Sequence, residues 1–137
     1  ATGKVVNGGI PQSPEFNMSL HLTTLQATFD RGNALHHSKA VPDDDDRFID
    51  LDFESWNPSW NQNSNSSYTH NASIALVKKG NPSWTNSTQI EAEAKQQFET
   101  AALKLLVATA KAVRKIRPHL KIGFYSFPTR EYWCGCE

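Results

Sequence analysis

The sequence predicts an α/β fold in which parallel strands are joined through helices, and three stretches carry that prediction. Phe48-Ile49-Asp50-Leu51-Asp52-Phe53-Glu54 alternates apolar and acidic side chains after its first residue, the period of a strand with two unlike faces. Ile90, Ala94, Phe98, Ala101, Leu105, Ala108, Ala112 and Ile116 step by three or four, the apolar stripe of one long helix. Leu120 to Phe127 reads as a buried strand closed by Pro128. Strand, helix, strand in this order implies a parallel pair with a right-handed crossover.

The elements follow in chain order. Asn7-Gly8-Gly9-Ile10-Pro11-Gln12 is a loop, because the two glycines accept positive φ and Pro11 biases Ile10 towards extended geometry. Leu20, Leu22, Leu25 and Phe29, with Leu35 beyond an interruption at Gly32, predict an amphipathic helix from about Leu20 to His36. Asp43 to Asp46 then form a solvated acidic turn after Pro42, since they lack the spacing and glycine of a calcium-binding EF-hand loop. The acidic strand comes next, and after Trp56-Asn57-Pro58-Ser59-Trp60 the polar stretch from Asn61 to Asn71 is expected to be an exposed loop.

A short apolar patch at Ile74 to Val77 and a turn at Lys79-Gly80-Asn81-Pro82 lead to the long helix. Its start is marked by a capping box, Thr88 with Glu91, and its end by Pro118. Lys104, Lys111, Arg114, Lys115 and Arg117 supply its polar surface. Their bias to the helix C-terminus suits the helix dipole, and this reading is preferred to a polyanion-binding one.

Composition narrows the function. The 137 residues carry 14 basic and 14 acidic side chains, so nothing favours a nucleic-acid partner, which calls for basic excess. With 38% hydrophobic residues and four tryptophans the chain can bury a core, and one soluble domain is expected. No apolar run is long enough for a membrane span. Ala1 opens no signal-peptide pattern, so the chain is expected to be mature or cut. Cys134 and Cys136 are too close in sequence for a comfortable mutual disulfide and are expected to find partners elsewhere. They give little support to a zinc site, and no metal or other cofactor is expected. Nothing in the sequence specifies an oligomeric state.

The acidic strand is the most informative segment. Asp50, Asp52 and Glu54 share one face, where like charges repel and raise one another's pKa, so the arrangement is reasonable only if that face is wet or functional. A long Glu54 beside a charged Asp52 is placed to stay protonated and act as the general acid that glycoside hydrolysis needs. Spacing alone leaves catalysis, a metal site and a solvated face all open. Asn17, Asn65, Asn71 and Asn86 each begin an N-glycosylation triplet, and the four together point to a secreted or lysosomal glycoprotein. Trp60, Trp84 and Trp133 could stack on sugars, although packing is the preferred reading for each.

Asn7-Gly8-Gly9-Ile10-Pro11-Gln12, His21-Leu22, Ile49 through Trp56, Phe98-Glu99 with Ala101-Ala102, Arg117-Pro118 and Gly123-Phe124-Tyr125 occur in an order and spacing that resembles the animal and venom hyaluronidases, glycoside hydrolase family 56. The likeness is distributed over nearly the whole chain. It implies part of a distorted (β/α) TIM-like barrel and hydrolysis of β-1,4 bonds after N-acetylhexosamine in hyaluronan or chondroitin, a glycosaminoglycan partner. It further implies an acetamido-assisted, retaining mechanism. Glu54 matches the family's acid, Asp52 the carboxylate that holds the acetamido N–H, and Tyr125 a second support of that group. Asp50 is read as a further substrate-binding residue. Tyr125 on its strand alone would be read as a core aromatic, and the resemblance reverses that order.

The sequence departs from the family at several points. Asn57 stands where arginine is common, Asp50 where a small or apolar residue is usual, and the tail from Thr129 to Cys136 lacks the usual aromatic and single-cysteine pattern. Residues 1–137 are expected to be the N-terminal-to-middle portion of a single catalytic barrel domain, because such barrels take roughly 200 residues or more. Two other readings share some of these features. A chitinase-like family 18 hydrolase fits Asp50-x-Asp52-x-Glu54 but leaves the Asn-Gly-Gly-Ile-Pro-Gln and Phe-Glu-x-Ala-Ala segments unexplained. A non-catalytic, glycan-binding extracellular glycoprotein fits Asn57 and the altered tail.

Overall fold

The computed structural model describes residues 10–32, 39–52, 56–63 and 68–125. Helix α1 spans Met18–Arg31, strand β1 Phe48–Leu51, helix α2 Tyr68–Gly80, helix α3 Ser87–Ile116 and strand β2 Lys121–Phe124, with a short 3₁₀ turn at Trp60–Gln62. The strands run parallel, with Phe48 opposite Lys121, Ile49 opposite Ile122, Asp50 opposite Gly123 and Leu51 opposite Phe124. The predicted parallel pair is therefore present, but among the described residues its crossover contains two α-helices, α2 and α3, rather than one.

Helix α1 begins where Asn17 Oδ1 accepts the Leu20 N–H at 2.9 Å. It stops at Gly32, whose φ of 73° lies in the left-handed region that a side chain disfavours. The sequence-based helix ran on to His36; the glycine ends it instead, and Leu35 and His36 lie outside the described residues.

The expected loop from Asn61 to Asn71 is corrected by α2, which already includes Tyr68 to Asn71. Hydropathy hid this helix because its buried face is largely polar: Thr69, His70 and Ser73 are buried alongside Val77. Two of the three have identifiable partners. Ser73 Oγ donates to Thr69 O at 2.8 Å and accepts from Gln12 Nε2 at 2.8 Å, and the His70 ring stacks on Trp60.

Helix α3 is capped by Asn86, whose Oδ1 accepts the Gln89 N–H at 3.2 Å, rather than by the predicted Thr88–Glu91 box. Its buried residues are Ile90, Ala94, Phe98, Ala102, Leu105, Leu106, Thr109 and Val113. Ile116 packs against the second core as predicted, but the stripe drifts from the predicted Ala101, Ala108 and Ala112, which are half-buried, because α3 serves two cores in turn. The first gathers Ile10, Trp56, Trp60, Val77 and the N-terminal half of α3. The second joins Phe29 of α1, Leu51, Val113 and Leu120, flanked by Ile49, Ile122 and Phe124 of the sheet.

Arg117 ties the second core to its surroundings. Only 6% exposed, it donates from Nε to Val41 O at 2.7 Å and from its terminal nitrogens to Asp30 Oδ1 and Asp43 Oδ1, both at 3.0 Å. One guanidinium thus joins the ends of α1 and α3 to the segment leading into β1. The acidic turn is solvated as predicted at Asp43, Asp44 and Asp46, even where Asp43 pairs with Arg117; the exception is Asp45, buried in a fork with Arg47, whose Nε reaches its two oxygens at 2.9 and 3.0 Å. These hydrogen bonds hold the Asp45 carboxyl down to about 2.

The two faces of the sheet differ as the alternation predicts. Ile49, Leu51, Ile122 and Phe124 pack under the helices. Phe48, Asp50 and Asp52, with Lys121, Gly123 and Tyr125 beside them, belong to the other face by the two-residue period. Phe48 is 79% exposed there, with the Lys121 ammonium 5.3 Å from its ring centre.

Candidate active site

The site is built at the carboxyl ends of the two strands. Beyond the last paired residues the ladder continues with the Tyr125 N–H donating to Leu51 O at 3.1 Å. That bond carries the register one step further and sets Asp52 and Tyr125 level on neighbouring strands. Both are exposed, Tyr125 to 58%, so the tyrosine is not a core aromatic. Asp50 lies one pleat below, against Gly123: a Cβ on that glycine would come within 2.6 Å of Asp50 Oδ1. The absent side chain at Gly123 makes room for the carboxylate at Asp50.

Structure therefore brings together Asp50, Asp52 and Tyr125 of the sequence-predicted site. Glu54 lies outside the described residues, as do Phe53, Ser55, Asn65, Trp133, Cys134 and Cys136. Of the glycosylation candidates, Asn17 and Asn86 are exposed helix caps and Asn71 is exposed on α2. Trp60 is buried and Trp84 packs against the first core, so both serve packing. Among the described residues no group of three His, Cys, Asp or Glu side chains is placed to hold a metal ion. No helix among them is long and apolar enough to cross a membrane.

From Trp56 to Asn63 the chain is held by a set of specific contacts. Trp56 is buried edge-on against Phe98, with ring centres 5.7 Å apart. Asn57 turns its side chain into its own loop, Oδ1 accepting the Ser59 N–H at 3.0 Å. Asn63 closes that loop: its Oδ1 accepts the Asn57 N–H and its Nδ2 donates to Asn57 O and Ser59 O, each at 2.9 Å. Sequence reasoning gave no role to Asn63, to His70 or to Glu99. Only the Phe98-Glu99 pair, quoted as part of a resemblance, hinted at one of them.

The hyaluronidase family profile of glycoside hydrolase family 56 matches residues 1–132. The chain belongs to the hyaluronidase family. It is 35% identical over 127 residues to hyaluronidase B of Vespa velutina, covering 91% of this chain and 35% of that one. It is 34% identical over 128 residues to hyaluronidase PH-20 of Homo sapiens, covering 93% and 23% respectively. The crystal structure of bee venom hyaluronidase in complex with a hyaluronic acid tetramer superposes with a TM-score of 0.74 at 28% identity, over 90% of this chain and 35% of that one. The chain thus spans about a third or less of the length of these hyaluronidases. Its parallel strands and connecting helices form part of the TIM-like hyaluronidase barrel, as the resemblance implied.

Proposed function

We propose that residues 1–137 form part of a single catalytic barrel domain of a secreted hyaluronidase. In this reading the whole protein cleaves β-1,4 N-acetylhexosaminidic bonds of hyaluronan or chondroitin. The observation that carries the proposal is the level placement of Asp52 and Tyr125, exposed at the carboxyl ends of paired parallel strands, where barrel enzymes hold their chemistry. The hyaluronic acid tetramer bound by the bee venom relative supports the choice of polymer.

The mechanism uses the substrate as its own nucleophile. The acetamido oxygen attacks the anomeric carbon, the glycosidic C–O bond breaks, and Glu54 gives its proton to the departing oxygen. Asp52 accepts the acetamido N–H and offsets the positive charge of the oxazolinium ring, with Tyr125 supporting the same group. The ionised Glu54 then takes a proton from the water that reopens the ring at the anomeric carbon. Two inversions leave the configuration retained. Asp50 adds a further polar contact to the same face, and Asn17, Asn65, Asn71 and Asn86 are the glycan acceptors.

Reducing-end release from hyaluronan by the full-length protein tests this. Glu54→Gln is expected to abolish turnover with thermal unfolding unchanged, and turnover retained in that variant would refute the acid assignment. Binding without cleavage by the wild type would favour a glycan-binding glycoprotein, and cleavage of chitin oligomers instead would favour the chitinase-like reading.

A further inference from the structure

The chain carries equal numbers of acids and bases, but they are unevenly placed: from Thr100 to Tyr125 there are six Lys and Arg residues and no Asp or Glu. Arg117 is taken up by Asp30 and Asp43. On α3, Lys104, Lys111 and Lys115 stand at i, i+7 and i+11, so they line one exposed ridge, about 16 Å long at the helical rise. Arg114 lies beside them, on the flank that also presents Leu103 and Val107. The attraction of a helix C-terminus for cations falls off within the last turn, so it accounts for Arg114 and Lys115 but not for Lys104 or Lys111. Among the described residues the cations that pair with carboxylates are Arg47 and Arg117, and the ridge lysines have no such partner.

A short turn from Arg117 to Leu120 carries α3 into β2, so the ridge ends beside the start of that strand, while Asp52 and Tyr125 lie at the opposite, carboxyl end. It is a surface separate from the cleft. Its chemistry selects the partner. Leu103 and Val107, 62% and 42% exposed, offer too little apolar area for membrane insertion, which needs a continuous apolar face, and α3 turns that face into the two cores. Attraction between charges is left as the main force, and cations spread over three turns suit a flexible polymer with carboxylates at regular intervals. We propose that Lys104, Lys111 and Lys115 form a second, non-catalytic contact for hyaluronan, pairing with its carboxylates outside the cleft. The choice of polymer rests on the reading of the whole protein as a hyaluronidase. A chain long enough to occupy cleft and ridge together is held twice, the second contact forming at high effective concentration, whereas a short oligosaccharide gains nothing from the ridge.

The test compares the full-length protein with two variants that each lose three charges: Lys104→Gln, Lys111→Gln and Lys115→Gln together on the ridge, and Lys39→Gln, Lys78→Gln and Lys79→Gln together away from it. All six lysines are exposed, so thermal unfolding is expected to be unchanged. Binding to immobilised high-molecular-weight hyaluronan is measured across salt, beside cleavage of the same polymer and of a hyaluronan hexasaccharide. The ridge variant is expected to bind the polymer about tenfold more weakly at low salt, with a shallower salt dependence, and to raise KM for the polymer by a similar factor. Its kcat, and its cleavage of the hexasaccharide, should stay at wild-type values, and the second variant should match the wild type throughout. Polymer binding as tight in the ridge variant as in the wild type overturns the proposal, and so does an equal loss in both variants, which marks an effect of net charge. Binding to phosphatidylserine vesicles that the ridge variant loses, with polymer binding intact, assigns the face to a membrane instead. Should the ridge variant fail to fold, Lys111→Gln alone decides by a smaller loss of the same kind, and no loss there overturns the proposal equally. If the wild type cleaves neither substrate the hydrolase reading fails, while the difference in salt-dependent binding still decides the ridge.

Discussion

Asp50 occupies the space that a side chain on Gly123 would need, its Oδ1 within 2.6 Å of where that Cβ would stand. The two are register partners on β1 and β2, so the contact follows from the pairing itself. Gly123→Ala must therefore turn the Asp50 carboxyl to another rotamer. Asp50 is exposed and its carboxyl is free to rotate, so the cost is expected to be about 1 kcal/mol or less. Asp50→Ala in the same protein should remove that cost. Urea unfolding of both single variants and the double variant measures the coupling, and additive effects would show that the two positions do not meet.

Arg117 predicts a larger loss. Its guanidinium is 6% exposed and serves Val41 O, Asp30 and Asp43 together. Arg117→Met leaves those acceptors without their common donor and should cost about 3 kcal/mol in urea unfolding. Lysine cannot rescue it, because a single ammonium does not reproduce the planar fork. Asp43→Asn should cost well under 1 kcal/mol, since that side chain is 90% exposed.

Acid sensitivity is expected from His21, where α1 docks on α3. Thr109 Oγ1 donates to Leu105 O, so its lone pair accepts from His21 Nε2–H at 2.8 Å. Burial lowers the His21 pKa from 6.5, so the unfolded chain takes up a proton before the folded one does. Stability is then full above pH 6.5 and falls as the pH drops through that value towards the lower folded one. Asp45 acts in a separate window, its contribution present above pH 3.8 and lost only as the pH falls towards about 2. His21→Gln should therefore shrink the drop in melting temperature between pH 7 and pH 5. An undiminished drop would assign the sensitivity elsewhere.

Asn17 and Asn86 allow glycan and cap to be separated. In each, Oδ1 caps a helix while Nδ2 is the atom that would carry sugar. Asn86→Asp removes the glycan acceptor but keeps the cap, whereas Asn86→Ala loses both and should cost about 1 kcal/mol. Mass loss on deglycosylation, measured beside thermal unfolding, distinguishes the two effects.

How far the sequence could be read depended on whether the deciding interaction was local. The acidic strand was legible because alternation at Ile49, Asp50 and Leu51 is a local pattern, and the parallel partner followed from the helix between. Helix α2 was not, since His70 and Ser73 are buried with polar atoms whose distant partners, Trp60 and Gln12, no local pattern reveals. The start of α3 was misread by two residues because Thr88 and Asn86 both suit a cap; Asn86 is the one with extended backbone, φ −77° and ψ 109°, whereas Thr88 already lies inside the helix. Within the site, Asp52 and Tyr125 were legible through a distributed resemblance. Glu99 drew no role, because its Oε1 accepts the backbone N–H of Trp60, which no side-chain motif records.

The account turns on where the acetamido group sits. A crystal structure of the full-length Glu54→Gln protein with a hyaluronan oligosaccharide measures this directly. It is expected to show the acetamido nitrogen within hydrogen-bond distance of an Asp52 oxygen, Tyr125 Oη on the same group, and residue 54 beside the glycosidic oxygen. Sugar bound away from Asp52 and Tyr125, or residue 54 turned to bulk solvent, would contradict the account.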